Sequence, residues 1–449
     1  MTKTKSTPNQ GSNGKMVAII AMFFLFAMIS FVTNLAAPLG TIWKQNYEWS
    51  GMLGNMMNFL AYLFMGIPAG NLLLKIGYKK TSLWAIGVGI VGIFLQWLSG
   101  IVGAETGVFS VGEQVVTLNF LIYLLGAFVC GFCVCMLNTV VNPMLNLLGG
   151  GGNKGNQLVQ AGGSLNSLAG TLTPLFVGML IGEISKSTTI SNVAPLLYIA
   201  MAIFVLAFII ISAVSIPEPH LRKTSNAPAE KQKHSPWNFR HTVLGVIGIF
   251  FYVGIEIGIP GVLIFYLTNE TGSAAVAGGV AAVYWLLMLC GRLISSFISG
   301  KVSSRTQLIC VSFAAIVLII VAIFLPSEVV IKMPAYAAGA GFELVEVPFK
   351  ALLFVLCGLC TSVMWGGIFN LAVEGLGKYT AQASGIFMMM VVGGGVMPLI
   401  QNWIADNVGY MESYWLVVAM LGYLLFYALV GCKNVNKDIP VDEEVFDAL

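Results

Sequence analysis

The sequence predicts an all-α polytopic membrane protein with twelve transmembrane helices arranged as two pseudo-symmetric six-helix bundles. Its 449 residues are 57% hydrophobic and only 9% charged, whereas soluble domains carry roughly 25% charged residues. A water-soluble globule of this composition would expose large apolar patches, which soluble monomers rarely tolerate. Apolar segments also alternate with short polar connections along the whole chain. Lipid is therefore the expected solvent around the protein.

Charged residues and Gly or Pro breaks divide the chain into segments of the roughly 20 apolar residues that a membrane helix needs. The first segment is too long for a signal-peptide core and is followed by no small-residue cleavage site, so an uncleaved helix is expected. The predicted spans are 16–43, 51–74, 81–103, 117–148, 158–184, 194–216, 241–268, 274–299, 306–326, 349–375, 380–407 and 412–432.

Lysine and arginine are distributed unequally between the two sides that these spans define. With the N-terminus placed inside, 17 of them lie in cytoplasmic segments and four lie outside, while Arg292 falls within a helix. This is the asymmetry that the positive-inside rule describes. Both termini are therefore expected in the cytoplasm.

The longest polar interruption lies halfway along the chain, on the basic side, and predicts a linker between two halves. Internal similarity agrees, because Asn142 and Gly149 recur as Asn370 and Gly377, 228 residues later. Such spacing is typical of a parallel repeat of six helices. The predicted organisation is an N-terminal tail 1–15, a first half 16–216, a linker 217–240, a second half 241–432 and a C-terminal tail 433–449.

Several function classes are disfavoured by the sequence. The net charge of +3 comes without a basic run beside an aromatic platform, so no nucleic-acid partner is expected. The eight cysteines lie within or at the ends of apolar segments, which disfavours structural disulfides. All three histidines lie in or beside the linker, and no Walker pattern is present. We expect a monomer in the lipid bilayer that is no enzyme and holds no metal and no cofactor.

Polar groups at membrane depth are costly, so function is expected where they occur. Glu256 lies about 15 residues into the seventh predicted helix, which places it roughly 22 Å from the cytoplasmic end. Its carboxyl group is a candidate binder of a coupling proton, of another cation or of a hydroxyl group. The alternative interpretation is a hydrogen-bonded structural glutamate.

Charged residues near the cytoplasmic end form a second group, with gating or structural roles. Arg292 in the eighth predicted helix needs a counter-charge, and Glu374 in the tenth is the candidate partner. Glu374 could instead pair with Lys378, four residues on. Three lysines after the second predicted helix complete the group: Lys75, Lys79 and Lys80.

Amide and tryptophan side chains within the predicted helices form a third group. Amides donate and accept hydrogen bonds without carrying charge, which suits a polyhydroxylated ligand. Two tryptophans near mid-helix could stack on such a ligand. The alternatives are hydrogen bonds between helices and plain packing. With Glu256, the predicted binding residues are Asn34, Asn138, Asn142, Gln160, Trp285, Trp365 and Asn370.

Several motifs resemble a known superfamily and one family within it. GNLLLKIGYKK at 70–80 resembles the inner loop after the second helix of the major facilitator superfamily, with the usual acid replaced by Leu74. The motifs that resemble the fucose, galactose and glucose symporter family are NP at 142–143, LVQA at 158–161, FFYVGIEIG at 250–258, GR at 291–292 and IFNLAVEGLG at 368–377.

This resemblance implies the major facilitator fold and an alternating-access carrier that moves a monosaccharide inward with protons across a bacterial inner membrane. The family's first-helix coupling aspartate falls at Asn34, and a fourth-helix acid of its fucose members falls at Asn138. Neither amide can exchange a proton. The family's phenylalanine and asparagine after its fifth-helix QA are Gly162 and Gly163 here, which implies an altered pocket, while Gln160 is retained.

Glu256 is then the remaining candidate for proton coupling, and sodium coupling or uncoupled facilitation stays open. Export of apolar compounds is a rival, but the row of amides disfavours a greasy cavity. A membrane-embedded enzyme would need a nucleophile or an acid/base pair at the membrane edge, and the sequence offers no convincing one. A receptor role would usually need a long interaction tail, whereas the acidic end at 438–449 is short.

Overall fold

The computed structural model describes residues 10–47, 50, 53–112, 114–181, 189–218, 234–272, 274–337 and 341–441. Most of the predicted linker and the distal parts of both predicted tails lie outside the described residues. Asn34 belongs to a described helix, but its side chain lies outside the described set. The predicted boundaries of halves, linker and tails therefore stay predictions.

The described residues fold mainly into helices. Their bounds are α1 (Gln10–Asn46), α2 (Leu53–Leu98), α3 (Leu118–Leu148), α4 (Gly152–Ile181), α5 (Ala194–Ala213), α6 (Arg240–Thr271), α7 (Ala274–Ile298), α8 (Ser304–Phe324), α9 (Phe349–Thr361), α10 (Met364–Val373), α11 (Thr380–Met389), α12 (Gly393–Asn407) and α13 (Tyr410–Phe426). Short 3₁₀ turns cover Ile190–Val193, Pro236–Asn238, Gly377–Tyr379 and Met390–Val392, and a π-helical turn extends α13 over Tyr427–Gly431.

Ten helical segments in these ranges are long and apolar enough to cross a membrane. One of them, α2, has 46 residues and joins two helices across a kink at Gly77. With α2 counted as two crossings and α4 added, the described helices match the twelve predicted spans. The tenth and eleventh spans are each interrupted, between α9 and α10 and between α11 and α12.

The kink in α2 is a glycine turn capped by an acid. Gly77 adopts φ 86° and ψ 175°, a region that is essentially restricted to glycine. The next two backbone N–H groups, of Tyr78 and Lys79, each donate to the Glu218 carboxylate at 2.8 Å. A carboxylate at a helix N-terminus satisfies N–H groups that lack helical partners. Glu218 follows α5, so the end of the sixth crossing is fastened to the start of the third.

The second half has a matching connection with the opposite charge. Arg305, at the start of α8, donates from Nε to the Ala428 carbonyl at 2.9 Å and from Nη2 to the Leu429 carbonyl at 2.7 Å. These carbonyls belong to the last turn of the final crossing, where cations are favoured. Each half therefore ties its last helix to its third.

Two β-hairpins were not predicted. Strand β1 (Gly107–Val111) pairs antiparallel with β2 (Gln114–Thr117), and β3 (Val330–Ala337) pairs antiparallel with β4 (Gly341–Pro348). Each hairpin joins the third and fourth crossings of its half, so it repeats with the helices. We call this side of the bundle the hairpin end and the side of the Gly77 kink the basic end.

Small residues let helices within each half approach closely. A Cβ added at Gly92 would lie 2.6 Å from Cys130 Sγ, and one at Gly89 would lie 2.7 Å from Cys133 Sγ. Both cysteines are buried free thiols. They pack as small apolar groups between α2 and α3.

We expect Gly77→Ala to lower the thermal stability of the purified protein. A non-glycine residue in this backbone region costs about 1–3 kcal/mol, and the added Cβ would lie 2.6 Å from the Glu218 carboxyl carbon. Gly87→Ala in the same helix is the matched control, because no atom lies within 4 Å of the added methyl. Unfolding is followed by intrinsic fluorescence in detergent. Equal midpoints for the two variants would contradict the role assigned to the capped turn.

Candidate functional site

Glu256 forms an ion pair with Arg292 in the middle of the bundle. Arg292 Nη2 on α7 lies 3.3 Å from Glu256 Oε1 on α6, and the two side chains are 7% and 16% exposed. The expectation that Glu374 is the partner of Arg292 was therefore wrong. Glu374 is exposed beyond the end of α10, where its carbonyl oxygen lies 3.0 Å from His241 Nε2. The flexible Arg292 side chain reaches toward the deeper carboxylate instead, which sequence position alone did not reveal.

Arg292 also contacts the first half of the chain. Its Nη1 donates to the Gly163 carbonyl at 2.9 Å and to Ser167 Oγ at 2.8 Å, both on α4. A buried ion pair needs such additional hydrogen bonds to offset desolvation. A Cβ added at Gly163 would lie 3.5 Å from Arg292 Cδ, so the guanidinium lies against the backbone where a larger side chain would stand.

Aromatic rings extend this site toward α10. Tyr252 lies one turn before Glu256 on the same face of α6, and its ring centroid is 6.0 Å from that of Trp365. The Tyr252 hydroxyl is buried beside the side chains of Glu256 and Arg292. Trp365 Nε1 donates to Asn142 Oδ1 at 3.1 Å. The indole therefore joins the two halves.

Asn138 continues the site on the first half. Its Nδ2 donates to the Tyr62 hydroxyl at 3.0 Å, and its backbone carbonyl accepts from Asn142 Nδ2 at 2.9 Å. Asn138, Glu256 and Trp365 keep partial exposure, whereas Asn142 is fully buried. We call the connected set of Asn138, Asn142, Tyr252, Glu256, Arg292 and Trp365 the central polar cluster.

Nearer the basic end, amide side chains join the halves directly. Asn146 Nδ2 donates to Asn370 Oδ1 at 2.9 Å, and Gln160 Nε2 donates to the Val363 carbonyl at 3.0 Å. Asn156 Nδ2 donates to Ser299 Oγ at 3.3 Å. Gln160 and Asn370 were predicted to bind a ligand, and in this conformation their amides close the bundle. That role in ligand binding stays a prediction.

Sequence reasoning missed Asn146 and Asn156, although a signal for both was present. Asn138, Asn142 and Asn146 recur every four residues on α3, and Asn156 precedes Gln160 by four on α4. Residues at this spacing share one helix face. Both faces point at the second half of the chain.

A proline creates one further contact between the halves. Pro143 has no N–H, so the Thr139 carbonyl four residues earlier has no helical donor. Ser384 Oγ on α11 donates to that carbonyl at 3.2 Å. Thr139 and Ser384 were not predicted, because a freed carbonyl gains a role only when a donor lies opposite.

Glycines make the tightest contact between the halves. A Cβ added at Gly385 on α11 would lie 2.5 Å from the Gly66 carbonyl and 2.9 Å from Gly70 Cα on α2. A Cβ at Gly66 would meet the Met389 backbone nitrogen. These are backbone atoms that cannot rotate away. The halves thus touch backbone to backbone on this side of the bundle.

All these contacts lie toward the basic end or at mid-depth. Nearer the hairpin end, the halves are joined by the hydrogen bond from Arg292 to Ser167 and by the packing of Phe59 against Gly394 and Gly395. The basic end is therefore closed, with the central polar cluster directly above the closure.

The remaining predicted site residues lie away from this cluster. Trp285 is half-buried and packs edge-on against Tyr284, with ring centroids 5.4 Å apart. Lys79 Nζ donates to the Ser212 carbonyl at 2.7 Å. Lys79 and Lys80 line a surface cavity of about 310 Å³ at the basic end, and Lys75 is exposed nearby. The described residues contain no cluster of three metal-ligating side chains.

Comparison with known proteins identifies the family. The sequence profile of the Major Facilitator Superfamily matches residues 19–391. The chain belongs to this superfamily. It is 29% identical to the glucose/galactose transporter of Brucella abortus, over 96% of this chain and 97% of the relative. It is 30% identical to the putative glucose/galactose transporter of Helicobacter pylori, over 97% and 99%.

The fold agrees with a solved structure of the superfamily. The crystal structure of the Escherichia coli fucose:proton symporter superposes with a TM-score of 0.74 at 19% identity, covering 92% of this chain and 98% of the symporter. The predicted fold class and the predicted family resemblance are confirmed. This superfamily member is therefore a multi-pass membrane protein of the transporter fold.

We expect Gly385→Ala to loosen the closure at the basic end. The added methyl would lie 2.5 Å from the Gly66 carbonyl, whereas non-bonded heavy atoms prefer roughly 3.5–4.0 Å, so α2 and α11 must move apart by about 1 Å or more. Spin labels at position 75 on α2 and at position 378 in the turn before α11, with Cys290 and Cys310 replaced by serine, report the distance between α2 and the start of α11.

Gly261→Ala is the matched control, because no atom lies within 4 Å of its added methyl. It should reproduce the distance distribution of the parent protein. An unchanged distribution in Gly385→Ala as well would show that the glycine contact does not hold the basic end closed.

Proposed function

We propose that this protein is a secondary transporter that imports a monosaccharide or a sugar derivative by alternating access, with cation coupling by protons. The observation that carries the proposal is the central polar cluster, which lies between the halves at mid-depth and directly above a closed end. Asn138, Glu256 and Trp365 keep partial exposure there. Amide, carboxyl and indole groups together suit a polyhydroxylated solute.

The distribution of basic residues supports an orientation in the membrane. Lysine and arginine are concentrated at the basic end, which the positive-inside rule assigns to the cytoplasm. The described conformation is then closed toward the cytoplasm, and a solute would reach the central polar cluster from the hairpin end. We assign the protein to a bacterial inner membrane with both termini inside and with a monomer as the working unit.

The polar character of the cluster disfavours the rival cargo. An exporter of small apolar compounds needs an apolar cavity, because burying unpaired polar groups against a greasy ligand is costly. Here the partly exposed groups at mid-depth are an amide, a carboxylate and an indole that donates to an amide. The relatives named as glucose/galactose transporters support a sugar.

Glu256 is the proposed coupling group. Asn34 and Asn138 occupy the positions of coupling acids in the related family, and amides do not exchange protons. Glu256 remains at membrane depth, 16% exposed and paired with Arg292. A proton-coupled importer would load this carboxylate from the outer side together with the sugar. Sodium coupling and uncoupled facilitation are the alternatives that gradient experiments separate.

We expect sugar uptake by proteoliposomes that contain the purified protein. A panel of labelled aldohexoses, deoxyhexoses and N-acetylated hexosamines is tested with an inward proton gradient, with an inward sodium gradient and without a gradient. Accumulation of one sugar class driven by protons is the expected result. Saturable transport of an apolar dye, with no transport of any sugar, would refute the proposal.

We expect Glu256→Gln to abolish accumulation driven by the proton gradient while preserving sugar exchange at equal concentrations. The amide keeps the size of the side chain and its ability to accept a hydrogen bond, but it cannot carry a proton. Glu343→Gln on the exposed face of β4 is the control and should accumulate sugar normally. Accumulation that survives in Glu256→Gln would remove this residue from the coupling role.

A further inference from the structure

The Arg292 side chain contacts both halves of the bundle at once. Its Nη2 pairs with Glu256 at 3.3 Å in its own half, while its Nη1 donates to Gly163 and Ser167 of the other half at 2.9 and 2.8 Å. A guanidinium group is planar and rigid, so both sets of contacts share one orientation. Glu256 therefore fixes the orientation in which Arg292 reaches across to α4.

The hydrogen bonds from Arg292 to α4 are stronger than those of the amide pairs nearer the basic end. Hydrogen bonds from a charged donor are about twice as strong as neutral ones. The Arg292 side chain is only 7% exposed, so salt and water screen it little. The guanidinium is thus the strongest polar connection between the halves in the described part of the chain.

Among the described titratable groups around Glu256, Arg292 is the one that carries a charge. Tyr252 lies one turn away on α6, and Tyr284 and Arg292 face it from α7. The tyrosines are neutral at physiological pH. The Tyr252 hydroxyl is buried beside the Glu256 carboxyl group, and its oxygen can accept a hydrogen bond from that group once the group is protonated.

We propose that Arg292 is a positioning residue that transmits the charge state of Glu256 to the contact between the halves. With Glu256 ionised, the guanidinium is held against Gly163 and Ser167, and the basic end stays closed. When Glu256 takes up a proton, its new O–H donates to the Tyr252 oxygen and the guanidinium loses the partner that orients it. The basic end then opens, and the proton leaves there.

Gly163 is what makes this connection possible. The guanidinium donates to the Gly163 carbonyl, and a Cβ at this position would lie 3.5 Å from Cδ and 3.8 Å from Nε and Nη1 of Arg292. A longer side chain at residue 163 would displace the guanidinium from the carbonyl. The absence of a side chain at Gly163 thus leaves the space in which the Arg292 guanidinium reaches the Gly163 carbonyl.

The inference is tested by hydrogen–deuterium exchange of the full chain in nanodiscs, read by mass spectrometry. Peptides covering 139–147, 156–163 and 363–370 report on the closure of the basic end. In the parent protein, lowering the pH from about 8 to about 5, across which perturbed carboxyl groups titrate, should raise exchange there, after correction for the intrinsic rate. We expect roughly a tenfold rise, the effect of losing one hydrogen bond to a charged group.

Two variants carry the test. Glu256→Gln should exchange rapidly at both pH values, because its side chain never carries the charge that orients Arg292. Arg292→Lys should also lose the pH response, since one ammonium group cannot hold both halves as a planar fork does. A wild-type pH response in Arg292→Lys, or slow exchange in Glu256→Gln, would overturn the proposal.

Ser167→Ala and Glu346→Gln complete the design. Ser167→Ala keeps the ion pair and removes one acceptor, so it should exchange faster at the higher pH and respond less to pH, even if an Arg292 variant fails to fold. Glu346→Gln breaks the remote pair with Lys332, whose atoms are 3.9 Å apart, and should respond like the parent. The inference rests on the proposed coupling by Glu256, but hydrogen–deuterium exchange is measured without any sugar. If no sugar were transported and the hydrogen–deuterium exchange still changed as expected, the proposed substrate would be refuted and the link from Glu256 through Arg292 to α4 would stand.

Discussion

The structure depends on one constraint, which is that polar groups deep in a lipid-surrounded bundle must find partners within the protein. Here many of those partners lie on the opposite half. Asn146 bonds Asn370, Gln160 bonds the Val363 carbonyl, and Arg292 bonds Gly163 and Ser167. Each group satisfied in this way also ties the halves together. The same side chains that would meet a polar solute therefore decide which end of the bundle is closed.

The helices and the location of the polar residues could be predicted because they follow from local chemistry. Apolar length gives the crossings, and Glu256 stands out because a carboxylate within a membrane helix is rare. The partner of Arg292 could not be predicted in the same way. Counting along the helices made Glu374 the candidate, but a long side chain reaches another depth, and its direction is set by tertiary packing. The sequence held a partial signal for the β3–β4 hairpin, because GFELVEVP contains one Phe and two Val, which are enriched in strands. Its alternation of apolar and polar residues breaks at Leu344 and Val345.

Proline and glycine explain why other contacts escaped prediction. Pro143 matters because Ser384 lies opposite the carbonyl that it frees, and Gly385 matters because Gly66 and Gly70 face it. The sequence does not reveal the partner of Pro143 or of Gly385, because Pro143 acts through its missing N–H and Gly385 through its missing Cβ. A missing N–H or a missing Cβ becomes a feature only when a second segment occupies the space. Pairings of this kind between distant segments require the folded chain.

The magnitudes also suggest why such a closure can be reversed. A neutral hydrogen bond contributes about 0.5–1.5 kcal/mol net, and one to a charged group about 1.5–3 kcal/mol. When the halves part, water enters and replaces most of the amide contacts, so their separation costs little. The Arg292 contacts lie deeper, where water replaces them less readily, and they carry a charge. The balance between closed and open basic ends should therefore respond more to a change at the Arg292–Glu256 pair than to the loss of any single amide.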